Sequence, residues 1–297
     1  MKKLICIFIL LVFITGCDSN SFLEKIGLIE KTTNTIQERN GIAYLPNEEK
    51  PFTGKYEVFY SGGQKNIYTH LIDGKKDGVT TVWFENGQKQ IEANYKGGKI
   101  DGLSTYWFEG GQKKIEANHM DGKEEGLTTF WFKNGQKETE INFKNGINEG
   151  LSTHWFESGP KKYEVNFKDG KEEGLSTTWF ESGQKKSEVN HKNGINEGAA
   201  TYWFENGQKE TEINYKDEKE EGLSIIWFEN GQKKTEINYK DGKEEGLSTY
   251  WFESGQKEHE VSYKNGKREG LSIFWFENGQ IQGEMIFKDD VAYSGPT

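Results

Sequence analysis

Apolar and polar residues alternate with period two along short runs of this chain. Between Gly102 and Asp121, Leu103, Thr105 and Trp107 alternate with Ser104, Tyr106 and Phe108. After Glu109-Gly110-Gly111-Gln112, Ile115, Ala117 and His119 alternate with Lys114, Glu116 and Asn118. Such alternation predicts two half-buried strands joined by a turn. Asn-Gly occupies that turn in five copies, as at Asn86-Gly87, which predicts a tight turn at positive φ. A second polar turn, such as Asp121-Gly122-Lys123-Glu124-Glu125-Gly126, leads into the next hairpin.

The hairpin recurs. Trp83, Trp107, Trp131, Trp155, Trp179, Trp203, Trp227, Trp251 and Trp275 are all nine tryptophans, spaced 24 residues apart. Glycines keep the same interval, opening each copy from Gly78 to Gly270 and marking its middle from Gly87 to Gly279. A divergent first copy starts at Pro51-Phe52-Thr53-Gly54, with Phe59 in the tryptophan position. A fixed period of this size marks a repeat architecture. The expected fold is all-β: an elongated single-layer antiparallel sheet of about ten tandem 24-residue β-hairpins, with copies from about 54, 78, 102, 126, 150, 174, 198, 222, 246 and 270. Residues 41–50 and 289–295 are candidate end caps, because terminal repeats lack a neighbour on one side. Twenty strands at roughly 4.8 Å would span about 100 Å, with twist.

An even period keeps each position on the same face in every copy. Parity alone assigns Leu, Thr and Trp of the first strand to one face, with Ile/Val/Ala and Tyr/Phe/His of the second. That face is the expected spine, and core packing is the expected role of the nine tryptophans. Ser, the residue before Trp and the Phe after it fall on the other face.

The chain opens with Lys2-Lys3 and an apolar run, Leu4 to Ile14, too short for an ordinary membrane span. Ile14-Thr15-Gly16-Cys17 follows and resembles a bacterial lipobox. The expected domains are a lipoprotein signal peptide at 1–17, a polar tether at 18–40 and the repeat array at 41–297. Cys17 is the expected lipidation site, with the membrane as partner through that anchor and a bacterial cell-envelope location; the leaflet stays open. Cys6, the only other cysteine, lies in the removed segment, so a mature disulfide or cysteine metal site is not expected. The net charge is −10, and near −12 without Lys2 and Lys3, which argues against nucleic acid as a partner.

The pattern G-L-S-x-x-W-F-E-N-G-Q-K-x-x-E-x-x-Y-K-D-G-K resembles the MORN-repeat variant over about residues 41–290. Tyr44-Leu45-Pro46 and Lys50-Pro51-Phe52-Thr53-Gly54 are similar to the opening of YwqK-family antitoxin repeat proteins. The resemblance implies a hairpin array and protein or membrane interaction. Fold alone does not assign function.

Little in the chain points to catalysis. No kinase or phosphate-loop motif is present. His119 and His191 stand where other copies hold Tyr or Phe, and neither they nor His70, His154 and His259 have metal-ligand spacing. The acidic turns are read as solvated rather than calcium-binding. Glu92 and its equivalents to Glu260 recur once per copy, offset by lysines such as Lys114 across strands, whereas an active site needs one special constellation. No enzyme activity, cofactor or metal is expected. The position before Trp varies most: Tyr106, Phe130, His154, Tyr202, Tyr250 and Phe274 are its aromatic occupants, beside Val82, Thr178 and Ile226. It is either a contact stripe or a tolerant half-buried position. The expected function is a non-enzymatic interaction or scaffold surface for an unknown protein or glycan partner; the alternative is antitoxin-like or immunity-like neutralisation of a toxin.

Overall fold

The computed structural model describes residues 23, 24, 27 and 30–293. From Thr32 onward they are strands and turns. Two compact units meet at Gly135 and Gln136 in sequence, and each is built of hairpins in antiparallel succession. No described helix is long and apolar enough to cross a membrane. The signal peptide and Cys17 lie outside the described residues.

One hairpin explains the rest. Strand Lys99–Trp107 pairs with strand Lys113–Met120 through Ser104–Ala117, Thr105–Glu116, Leu103–Asn118 and Tyr106–Ile115. The register then shifts between Ile115 and Lys113, so Lys114 is an extra residue, a β-bulge. Opposed residues share a face, and a one-residue slip reverses which ones do. The parity reading is therefore corrected. Ser104, Tyr106, Ile115, Ala117 and His119 lie together on one face. Leu103, Thr105, Glu116 and Asn118 lie on the other. The buried floor is made of small residues: Ser104 is 0%, Ala117 2% and Val165 0% exposed. Leu103, expected in the spine, is 42% exposed, and Leu127, Leu151, Leu175, Leu223, Leu247 and Leu271 are also exposed.

The turns also exchange roles. At Asn86-Gly87 only the glycine has positive φ, at 85°. Gly87 donates to Phe84 O and Phe84 to Gln88 O, which makes a type I turn ending in a glycine bulge. Asn86 instead accepts the Gln88 amide at 3.0 Å and donates to Glu109 O of the next copy at 3.0 Å. The tight turn is the inter-copy one. Asp121 and Gly122 have φ of 52° and 83° between paired Met120 and Lys123, the backbone of a type I′ turn.

The glycine that opens each copy sits where two extra residues enter the strand. Glu124 opposes His119, but Thr129 opposes Glu116. Gly126 takes φ 79° there with open space around a would-be Cβ, so its requirement is conformational rather than steric. Glycine at a bulge bends a strand.

The ends of the described region are ordered. Thr32–Thr33 pairs parallel with Lys55 and Tyr56, and Gln37–Arg39 forms a hairpin with Ile42–Tyr44. Residues 32–39, assigned to a polar tether, thus belong to the folded cap. Ala43, Phe52 and Leu71 are buried there with Ile36, Leu45 and Tyr56 against them. At the other end, Val291–Tyr293 adds a short strand to Ile281–Lys288.

Candidate functional site

All nine tryptophans are half-buried. Each carries a lysine ammonium of the preceding copy over its ring, from Lys65 over Trp83 at 6.0 Å to Lys257 over Trp275 at 5.8 Å. From Lys89 to Lys257 the same lysine pairs with the glutamate three residues on, as Lys113 does with Glu116 and Lys233 with Glu236, whereas Lys65 pairs with Glu57. The glutamate ladder is therefore offset by lysines of its own strand. Lys114 has another place: as the bulge residue it lies 5.7 Å from the centre of the Phe108 ring. The Lys–Glu–Trp unit links copies in sequence, and it occupies one face of the indoles.

The six aromatic residues of the variable position, Tyr106, Phe130, His154, Tyr202, Tyr250 and Phe274, are all half-buried. Each lies on the face with the small floor. Cross-strand neighbours flank them, as Ile91 and Ile115 flank Tyr106. Tyr250 stacks on His259 at 4.0 Å, and His259 on Phe274 at 5.8 Å. Ser248 and Ser272, on the floor beside this stack, have hydroxyls with no protein partner. His154 contacts Thr139 Oγ1 at 3.0 Å and Ser152 Oγ at 3.3 Å. Burial holds His154 and His259 below the usual histidine range.

Tyrosines and carboxylates also meet on this face, Tyr215 opposing Glu220 and Tyr239 opposing Glu244. Tyr163 donates to Glu172 at 2.6 Å. Burial first, then the Glu220 and Glu244 charges, pushes Tyr239 up to about 12. Burial also raises the carboxyls of Glu220 and Glu244 above their usual range. The cluster includes one triad-like arrangement: His191 contacts Ser176 Oγ at 2.8 Å and Glu172 at 3.4 Å. Ser176 is buried and also bonds to Val189 O at 3.3 Å, so its hydroxyl is engaged in the floor and closed to a substrate. Among the described residues no group of His, Cys, Asp or Glu is placed to hold a metal.

The acidic turns have structural partners. In most copies the carboxylate before the opening glycine accepts a turn amide twenty residues on, as Asp101 does from Asp121 at 3.2 Å and Glu149 from Asp169 at 2.9 Å.

These features define a tandem β-hairpin repeat protein whose capacity lies in side-chain faces. The MORN repeat variant model matches residues 76–96, 124–145, 172–193, 196–217, 220–241, 244–265 and 268–289, just over half of the chain, and the chain belongs to that family. Repeats of this kind are generally modules of protein or membrane interaction. No curated protein matches it. Among solved structures, an alternansucrase in complex with isomaltononaose is 14% identical over 80% of this chain and 18% of that one, with a TM-score of 0.19. The chain spans less than a fifth of that protein, and so slight a likeness carries no argument.

Proposed function

We propose that the protein is a non-enzymatic repeat lipoprotein, anchored by lipid on Cys17, that presents an interaction surface at the bacterial cell envelope. The observation that carries the interaction surface is the variable position. Its occupants range from Thr178 to Tyr250 while the floor beside them stays Ser, Thr, Ala, Val or Ile, with Met285 in the last copy as the exception. A scaffold that holds its packing residues and varies their neighbours is suited to binding. Lys2-Lys3, the apolar run and Cys17 support the anchor.

Two measurements test this reading. Cys17→Ala should move the protein from the membrane to the soluble fraction; unchanged membrane association would remove the lipid anchor. Protease shaving of intact cells, followed by blotting for the repeats, distinguishes an outward-facing array from one inside the envelope.

The opening Tyr44-Leu45-Pro46 and Pro51-Phe52-Thr53-Gly54 favours a second reading, an antitoxin-like partner for a toxin acting in the envelope. Growth rescue from a toxin encoded beside it would support that reading; absence of any rescue would sink it.

A further inference from the structure

A groove of about 550 Å³ lies in the first unit, beside the turn from Phe108 to Gln112. Its apolar wall is formed by Phe84, Tyr106, Trp107 and Phe108, all half-buried, so each ring is partly open to solvent. The side-chain amides of Gln90 and Gln112 line it as well. Its charged residues are Lys114 and Lys133 against Glu109. Both lysines are exposed.

Lys133 is an exception in the repeat. The residue two after Trp is glutamate in every other full copy, from Glu85 to Glu277. Shifting the four polar positions 90, 109, 114 and 133 by 24 gives Lys114, Lys133, Glu138 and Glu157, which balance. A further 24 gives Glu138, Glu157, Lys162 and Glu181, net negative. None of the other copies has a positive balance at these positions. One aromatic groove therefore carries a positive charge on a chain of net charge −10. Local positive charge at a low-dielectric wall concentrates anions.

We infer that this groove binds a carboxylate-bearing, uronic-acid oligosaccharide. Aromatic faces take the C–H faces of sugar rings, side-chain amides both donate to and accept from hydroxyls, and ammonium groups pair with carboxylates. Phe84 and Phe108 are one repeat apart, roughly 9.6 Å at two strand spacings, close to the length of a disaccharide. An extended acidic peptide would instead seek free backbone at a strand edge. The strands here are paired on both sides, Tyr106 with Ile91 and with Ile115. The inference rests on the interaction-surface reading above and names its ligand class; it does not depend on the lipid anchor.

The test is titration calorimetry of the full-length protein in detergent, with oligogalacturonate, a neutral oligosaccharide of equal length and oligoglutamate as probes. Lys133→Glu installs, at an exposed site, the residue found in the other copies. Lys114→Glu does the same with the residue found at Glu138. Oligogalacturonate should bind saturably and perturb tryptophan fluorescence. The neutral sugar and either variant should bind about tenfold or more weakly, the loss expected when a charge-assisted contact is removed. Unchanged circular dichroism would show that the variants fold. No saturable binding of oligogalacturonate, equal binding of oligoglutamate, or indifference to both lysine changes would each overturn the inference. Such a failure would leave Cys17→Ala release, read independently, unaffected.

Discussion

The carboxylate of Glu221 accepts the backbone amide of Asp241 at 2.9 Å, joining the start of one copy to the turn that ends it. Glu173 with Asn193 at 2.9 Å and Glu245 with Asn265 at 2.7 Å repeat the bond. An amide bonding to an ionised acceptor makes a stronger bond than a neutral pair. Glu221→Ala should lower stability by about 1 kcal/mol, a value discounted for solvent exposure, while Glu221→Gln, which keeps an acceptor, should lose less. Thermal unfolding of both variants decides the matter; an unchanged midpoint in Glu221→Ala would mean that the bond contributes nothing.

Glu218 is the residue out of place. It occupies the second position of an inter-copy turn at φ 65°, where most copies have glycine. Its amide reaches Asn196 O at 3.4 Å, whereas Gly242 reaches Glu220 O at 2.9 Å. A left-handed conformation costs a non-glycine residue about 1 kcal/mol or more. Glu218→Gly is therefore a stabilising change of about 1 kcal/mol, visible as a higher denaturation midpoint with unchanged slope.

Lys185 sits 5.9 Å from the centre of the Trp203 ring and pairs with Glu188. A double-mutant cycle between Lys185→Met and Trp203→Leu should give a coupling of about 0.5–1 kcal/mol. Strictly additive effects would remove the cation–π link between copies.

Tyr239 sets an alkaline limit. Its hydroxyl is held near 12 in the native state against 10.0 for the free group. Between those values the folded chain binds more protons than the unfolded one. Stability therefore falls as pH rises from 10 towards 12, and this group has no such effect below 10. Phenolate absorbance should show late-titrating tyrosines, fewer in Tyr239→Phe. Titration of every tyrosine at its free value in folded protein would contradict this.

Glu220 and Glu244 act at the acid end. Burial raises both carboxyls from 4.5, so the native state holds their protons more tightly than the unfolded chain. Their contribution favours folding below the free value and is lost as pH rises through the native values. Glu244→Gln should therefore gain stability at neutral pH and little in acid; denaturant melts at both pH values would reveal the opposite trend if it existed.

The repeat and the strands were legible because period two and period 24 are written directly in the residues from Gly78 to Lys288. Which residues share a face was not. Lys114 looks like an ordinary strand residue in sequence, and only hydrogen-bond register reveals that it is extra. That one residue moves Leu103 outward and brings Ser104, Ala117, Tyr106 and His119 together. The Asn-Gly dipeptide did mark the turn inside its hairpin, but that turn is a longer one in which only Gly87 takes positive φ, because Asn86 serves the next copy through Glu109 O, a contact between residues far apart in the chain.

The sequence by itself determined an all-β repeat of hairpins, the places of its turns and the copy-to-copy variation at Tyr106 and its equivalents, because these follow from local periodicity. Tertiary structure alone decided the buried floor, the lysine above each tryptophan, the rungs such as Glu221 to Asp241 and the groove that joins Lys114 to Lys133. Each depends on cross-strand register, and register is a property of paired strands rather than of any single one.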